Sequence, residues 1–526
     1  MTLGRAPGIM QCSGPALVLA ALLLAPFHNK AFTVDDPTFL TGATHMLVDP
    51  LHPSAFEMVW NDPYRMRASE MFSNSPVAYC LLVPTILAGG AEWVAHLTQF
   101  LIFAVGICGA ASLSLRLGFT NLQARYTTLL LAATPAVLGM AGTAMPDIPA
   151  MTFAVVSMDR LLAFKLSRRW TQGLAASLFL LIGMLCRGHL ILLAGVGAIA
   201  LWNHDESSKP LTAWLHSLWP LALAPILMFV VLWSTRDPLA ESAGMFSAPL
   251  NYSVLDAAAR NLIAYLTHWV LVIPLAIPWL ILRFRHLPFR LLWPLVPIIV
   301  GLVLAEHSVS RWTAPIAVLA AIALADILLD GWQRRDFTQL FLLSWLLIPV
   351  VVVPYVHLPS KYLVACAPAA AMLVASRITR QLLGVTLAAG VLLGILILSA
   401  DAKLAGLWRQ GAAQMIAPRV QAGETVWFAG SWGFYWYAEK AGAKVLSLTA
   451  PYPKPGDIVV VNSSWLRDET SVIQRHTVLE SSEDASPGGR IFGGFGRAGF
   501  YSNGYGSLPW TIGRDAITRF EVWRVD

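Results

Sequence analysis

Residues 31–75 read AFTVDDPTFLTGATHMLVDPLHPSAFEMVWNDPYRMRASEMFSNS and follow directly on the first apolar segment of the chain. The stretch holds six carboxylates (Asp35, Asp36, Asp49, Glu57, Asp62, Glu70) against two arginines (Arg65, Arg67). Most connections between elements run to only ~4–6 residues. A polar loop of this length, opening on two adjacent acids where an apolar helix ends, is expected to carry chemistry. Asp35 and Asp36 are therefore the leading candidates for a chemical centre that the remaining chain would serve.

The remaining chain is apolar. Its 526 residues are 56% hydrophobic and 13% charged, with a mean hydropathy of +0.62, whereas soluble domains carry roughly 25% charged residues. A polytopic membrane protein is expected. The net charge of +6 is the kind that cytoplasmic loops of such proteins accumulate, and nucleic acid is not expected as a partner. Cys12, Cys80, Cys108, Cys186 and Cys366 all fall in apolar stretches without paired spacing, which indicates neither a disulfide framework nor a zinc site.

A hydrocarbon core of ~30 Å calls for spans of ~17–25 residues. Candidate spans lie near 12–30, 94–115, 126–142, 147–165, 172–186, 188–203, 212–233, 262–282, 291–305, 312–329, 339–357, 362–377 and 382–400, about 13 in all. The run Gly14–Phe27 behind Arg5 has the short apolar core of a cleaved signal but is taken as a retained signal anchor, since the topology uses it as the first span. Residues 76–90, PVAYCLLVPTILAGG, are apolar but hold two prolines and read as a re-entrant or interfacial helix. With the N-terminus cytoplasmic, Arg5, Arg116, Arg125, Lys165, Arg168, Arg169, Lys209, Arg283, Arg285, Arg290, Arg334, Arg335, Arg377 and Arg380 fall on the cytoplasmic side. The opposite side holds the smaller set Lys30, Arg65, Arg67, Arg187, Arg236, Arg260, Arg311 and Lys361. That asymmetry is the positive-inside pattern, and it sets Asp35-Asp36 outside.

The organisation expected is thus a transmembrane domain over 1–402, with 31–75 as its external loop, followed by a soluble extracytoplasmic α/β domain over 403–526. The latter shows short β-like runs (425–429, 457–462, 520–525), the helix-like FYWYAEKAG and the Gly- and Tyr-rich FGGFGRAGFYSNGYG. The Gly-rich tail lacks the strand context of a phosphate-binding fingerprint and reads as an aromatic loop region packed on the membrane part.

Other chemistry-bearing residues gather at the expected outer ends of spans. In MPDIPAM, Asp147 lies at a helix start between two prolines; it is either a cap favoured by the helix dipole or a group facing the same cavity as Asp35 and Asp36. CRGHL places Arg187 and His189 at a tight turn, and HLPSKYL places His357, Lys361 and Tyr362 at a later one. Such cations either snorkel to the headgroups or grip phosphate oxygens. Glu306, His307 and Arg311 read as interfacial anchors. Carboxylates early and phosphate-capable cations late suit an enzyme whose donor is membrane-embedded and phosphate-linked, a carboxylate acting as base and cations stabilising the departing phosphate.

The order DDPTFLTGATHML, SNSPVAYCLL, AMPDIPAM and SKYLVACAP, with GSWGFYWYAEKAGA in the tail, resembles the GT-C integral membrane glycosyltransferases of the lipid A aminoarabinose transferase and protein O-mannosyltransferase type. The resemblance spans most of the chain through short motifs. It implies a polyprenyl-phosphate sugar as donor, a lipid, glycan or protein as acceptor, and residence in a bacterial inner membrane among membrane lipids. Asp35, Asp36 and Asp147 then take the places of the catalytic acids, with Asp35 the acid-base residue. Arg187, His357, Lys361 and Tyr362 take the donor-phosphate places. Two departures stand out: Asn74-Ser75-Pro76 where relatives often carry His or Glu, and Lys361 where they carry Arg, which exchanges a forked contact for a point charge.

No cofactor is expected. The loop acids would admit a divalent cation, but no His or Cys ligand cluster accompanies them, so no metal is expected either. Two other classes stay open. One is a secondary transporter, which would place charged groups and broken helices near the bilayer midplane and often show repeats. The other is a glycan-binding membrane scaffold.

Overall fold

The computed structural model describes all residues except 1–5, 61–62, 72–75, 203–209, 240–256, 306–311, 335, 356, 464–467 and 494–497. Asp62, Asn74, Ser75, Glu306, His307 and Arg311 lie outside the described residues. The chain is predominantly helical. Among the described residues, Gly8–Phe27, Glu92–Arg116, Thr313–Arg334 and Arg380–Gln421 are long and apolar enough to cross a membrane, and Ala258–Leu271 with Ala276–His286 add a fifth if that pair, bent by 69°, is one span.

Several stretches expected as whole spans are shorter or broken, and prolines explain the breaks, since each removes a backbone donor and clashes with the preceding turn. The 126–142 stretch divides into Asn121–Ala132 and Pro135–Ala141. The 339–357 stretch ends its helix at Leu346 and continues as a 3-10 turn, Ile348–Val352, across Pro349. Residues 76–90, expected as a re-entrant or interfacial helix, form two short helices, Pro76–Cys80 and Val83–Leu87, with Pro84 opening the second. The helix Asp147–Ser167 is 21 residues long and keeps its mid-helix acid paired: Asp159 accepts from Arg116 Nε at 2.6 Å and also meets Arg160.

Small residues let these helices approach closely, as in membrane bundles generally. Gly106 on Glu92–Arg116 faces Thr152 on Asp147–Ser167, and a Cβ there would overlap the threonine hydroxyl. Gly390 on the last long helix rests on the Ala133 carbonyl in the same way.

That last helix runs from Arg380 to Gly411, then through a π-helical turn, Ala412–Ile416, into Ala417–Gln421. It passes straight through the expected boundary at 402/403. Asp401 read as the edge of a span, but it is 1% exposed and paired with Lys30, so a charge there does not end the helix. Beyond it lies a five-stranded sheet in the order Lys444–Val445, Val426–Ala429, Ile458–Asn462, Thr518–Val525, His476–Asp484. The first three strands are parallel neighbours, with Phe428 opposite Val460, and Thr518–Val525 runs antiparallel to both of its neighbours. The helix Gly433–Lys440 crosses between the first two strands of the chain order. Its aromatic face packs inward, with Phe434 and Tyr435 buried.

Candidate active site

The loop after the first span is short of regular structure until Asp35, which sits at the N-cap of the helix Asp36–Met46 with Pro37 in its first turn. Proline is tolerated there because the N–H it lacks has no helical partner anyway. Val34 holds φ at 23°, a region that β-branched residues avoid. Strain of that kind persists only where the surrounding structure over-determines it, and the residue that follows is Asp35. Thr33 N–H donates to Asp36 Oδ2 at 2.8 Å, and Ala144 N–H donates to Asp36 Oδ1 at 2.8 Å. Asp36 therefore ties its own helix to the segment Ala144–Pro146 that opens the helix beginning at Asp147.

The six other residues singled out in the sequence fall into one cluster. Lys361 Nζ donates to Asp35 Oδ2 at 2.5 Å across 326 residues of chain. Arg187 grips Asp147 with its fork: Nε donates to Oδ1 at 3.0 Å and Nη2 to Oδ2 at 2.7 Å. The Tyr362 ring stands between the two cations, 5.9 Å from the Arg187 guanidinium carbon and 6.0 Å from Lys361 Nζ. His357 stacks on Tyr362 at 6.3 Å between centroids, and His189 meets its edge at 5.7 Å.

Local structure explains how each arrives. The helix Trp170–Cys186 stops where Arg187 turns to extended backbone, and a 3-10 turn, Gly188–Leu192, follows. Lys361 and Tyr362 ride on the 3-10 turn Ser360–Cys366. That turn is clamped by the C-terminal region: Ser360 N–H donates to the Phe500 carbonyl at 2.8 Å, and Leu358 N–H to Asn503 Oδ1 at 2.8 Å.

The electrostatics separate the two adjacent acids. Burial pushes Asp35 up, but Lys361, with Arg187 and His357 behind it, outweighs that and holds the carboxyl below the ordinary range. Its side chain remains 26% exposed. Asp36 is fully buried, and burial pushes it up to about 7 against the pull of Lys30 and its two N–H donors. Both of its oxygens are occupied by backbone. Asp36 is thus tied into the loop through both oxygens, whereas Asp35 keeps an open edge.

Sequence reasoning missed a second network beneath this cluster. Lys30 Nζ donates to Asp401 Oδ2 at 2.7 Å, Thr33 Oγ1 donates to Asp401 Oδ1 at 2.8 Å, and Tyr501 OH donates to Oδ2 at 3.0 Å. Asn503 Nδ2 also donates to Asn261 Oδ1 at 2.8 Å. These groups lie far apart in the chain, and nothing local signals the pairing. Among the described residues no group of three or more His, Cys, Asp or Glu could hold a metal ion.

No family model matches the chain, and no curated protein matches it. Among solved structures it is similar to ArnT from Cupriavidus metallidurans in the apo state, at 17% identity over 89% of this chain and 95% of that one, with a TM-score of 0.49. The same protein bound to undecaprenyl phosphate gives 15% identity over 91% and 97%, with a TM-score of 0.47. Archaeal oligosaccharyltransferase AglB from Archaeoglobus fulgidus, in complex with an inhibitory peptide and a dolichol-phosphate, gives 12% identity over 86% and 69%, with a TM-score of 0.43. ArnT and AglB are GT-C glycosyltransferases.

Proposed function

We propose that the protein is an inverting glycosyltransferase that moves a hexosyl or pentosyl group from a polyprenyl-phosphate donor to an extracytoplasmic acceptor. It would act in a bacterial inner membrane, with its N-terminus cytoplasmic, a transmembrane domain over 1–402 and a C-terminal region over 403–526 outside. The observation that carries this reading is the convergence of Asp35, Lys361 and Arg187, remote in sequence, around Tyr362.

In this mechanism the acceptor hydroxyl oxygen attacks the anomeric carbon from the face opposite the phosphate. The bond between that carbon and the phosphate oxygen breaks, its electron pair leaves with polyprenyl phosphate, and the hydroxyl proton passes to Asp35. Lys361 and the Nη1 side of Arg187 meet the charge that develops on the phosphate. Asp147, gripping Nε and Nη2, fixes the guanidinium plane for that task. His357 and Tyr362 shape the phosphate pocket.

The resting pair has a consequence for the base. A carboxylate held low by an ammonium is a weak proton acceptor, so Asp35 paired with Lys361 is a base in reserve. A donor phosphate that draws Lys361 away returns Asp35 toward its ordinary basicity, each pKa unit being worth ~1.4 kcal/mol. Base strength is then gained only with the donor in place.

The test is purified protein in nanodiscs given a radiolabelled polyprenyl-phosphate sugar and a mixture of acceptors. Release of polyprenyl phosphate is expected, falling ~10²- to 10⁴-fold in Asp35→Asn, as for loss of a general base. Solute uptake into vesicles that needs no donor, with no release of polyprenyl phosphate, would sink the proposal in favour of a transporter.

A further inference from the structure

A cavity of about 560 Å³ lies between the helix Asp36–Met46, the turn at Gly89-Gly90 and the helix Gly433–Lys440. That size is within the range that holds a small organic ligand. Its lining includes Thr41, Thr44, His45, Phe56, Trp436 and Lys440.

Four features define what it would take. The Trp436 and Phe56 rings supply flat apolar faces, suited to the C–H face of a pyranose. Hydroxyl and amine groups at Thr41, Thr44 and Lys440 supply a polar edge, and Lys440 also anchors the wall by donating to the Gly89 carbonyl at 2.9 Å. Charge is balanced, because Glu439 and Lys440 both line the cavity, so nothing selects a phosphate. Finally, Trp436 Nε1 and His45 Nε2 are buried without a partner among the described residues, a cost that a hydroxyl-rich occupant would relieve after a small ring rotation.

Position adds a direction. Asp35 caps the helix that carries Thr41 and His45, and at ~1.5 Å per residue His45 lies about 15 Å along the axis from that cap. That is the length of a short saccharide. Val48 and Ile86 line the cavity, and Val48 is 83% exposed, so the rim is aliphatic where the interior is mixed.

We infer that this cavity seats a neutral saccharide portion of the acceptor, with its reacting end reaching back toward Asp35; the inference deepens the glycosyltransferase reading and rests on it. The occupant's chemistry is a hydroxylated sugar ring, borne either on a membrane lipid or on a free glycan.

The experiment reads binding, not turnover. Full-length protein carrying p-benzoylphenylalanine in place of Val48 is irradiated in phosphatidylcholine nanodiscs, with glucosyl diacylglycerol in the disc or maltotriose in solution, and adducts are identified by mass. A sugar adduct is expected, reduced roughly tenfold, the equivalent of ~1.4 kcal/mol, by Trp436→Ala. Thr44→Val, on an exposed and easily tolerated position, is expected to lower it as well. Adducts to the glucosyl lipid alone support a lipid-borne saccharide, and equal labelling by maltotriose supports a free glycan. Labelling of phosphatidylcholine only, or sugar adducts unchanged in both variants, overturns the inference. Asp35→Asn is expected to leave the adduct intact, so loss of transfer chemistry and loss of this site are told apart.

Discussion

In the proposed mechanism Lys361 meets two demands that pull in opposite directions: it holds the Asp35 carboxyl low through a 2.5 Å contact, and it would meet a donor phosphate beside Tyr362. Removing it as Lys361→Ala is expected to lower the rate of polyprenyl phosphate release by ~10²- to 10³-fold, the usual worth of a charge-stabilising donor. Lys361→Arg should retain activity within about tenfold, because a guanidinium serves the same phosphate with a fork. Equal loss in both variants would show that the position acts through packing. His357 gives the site a pH dependence. Burial foremost, then Lys361, lowers its imidazole to about 4 despite the attraction of Asp35, against ~6.5 in an unfolded chain. Between those values the unfolded chain binds a proton that the folded one does not, so stability is full above ~6.5 and is lost as pH falls toward 4. Asp36, raised to about 7, contributes with the opposite sign over the same range, so the readout is a difference: the unfolding midpoint of the unsubstituted protein in detergent, taken relative to that of His357→Gln, should drop between pH 7 and pH 4.5. An unchanged slope would mean that His357 is not held neutral. That Asp35, Asp147, Arg187, Lys361 and Tyr362 lie together was legible in the sequence, because acids and cations stood at expected span ends in a recognisable order. The different surroundings of Asp35 and Asp36 were not, since they depend on the Ala144 N–H, more than a hundred residues away.

At the scale of elements, the helix Asp36–Met46 is the piece that must be held in place for Asp35 to point at Lys361. It is seated by a close approach: Gly42 lies against the face of Tyr79, which is fully buried, and a Cβ at position 42 would overlap the ring. Gly42→Ala is therefore expected to destabilise by ~1–3 kcal/mol, the usual cost of overpacking. Tyr79→Leu in the same chain should restore part of that loss, because the two changes share one contact and cannot add independently. Unfolding midpoints of the two single variants and the double variant form the cycle, and strict additivity would show that the helix is seated elsewhere. Apolar runs located most helical regions, but not where each helix stops. The breaks at Pro135, Pro349 and Pro84 were written in the sequence as prolines inside hydrophobic runs. The helix through Asp401 and Lys403 was hidden, because a charge at the end of an apolar run normally marks the membrane surface and only a distant partner cancels it.

Across the whole molecule, Asp401 joins three regions that the sequence separates by hundreds of residues: Lys30 and Thr33 at the exit of the first span, Tyr501 in the C-terminal region, and the last long helix on which it sits. The Lys30 side chain is 0% exposed and that of Asp401 1%, so water does not share in the pairing. Breaking such a pair from one side strands a buried charge and typically costs ~3–5 kcal/mol, whereas replacing both partners with apolar groups is often close to neutral. Asp401→Leu alone should therefore lower the unfolding midpoint steeply, and Lys30→Met with Asp401→Leu should recover much of it. Activity should not follow stability. Thr33 loses its acceptor in both variants, and Thr33 also supplies the N–H that holds Asp36 at the start of the Asp35 helix. The double variant is thus expected to be folded yet slow in releasing polyprenyl phosphate. If it regained full activity together with its stability, Asp401 would be a packing device only, and the C-terminal region would have no hold on the geometry at Asp35 by this route.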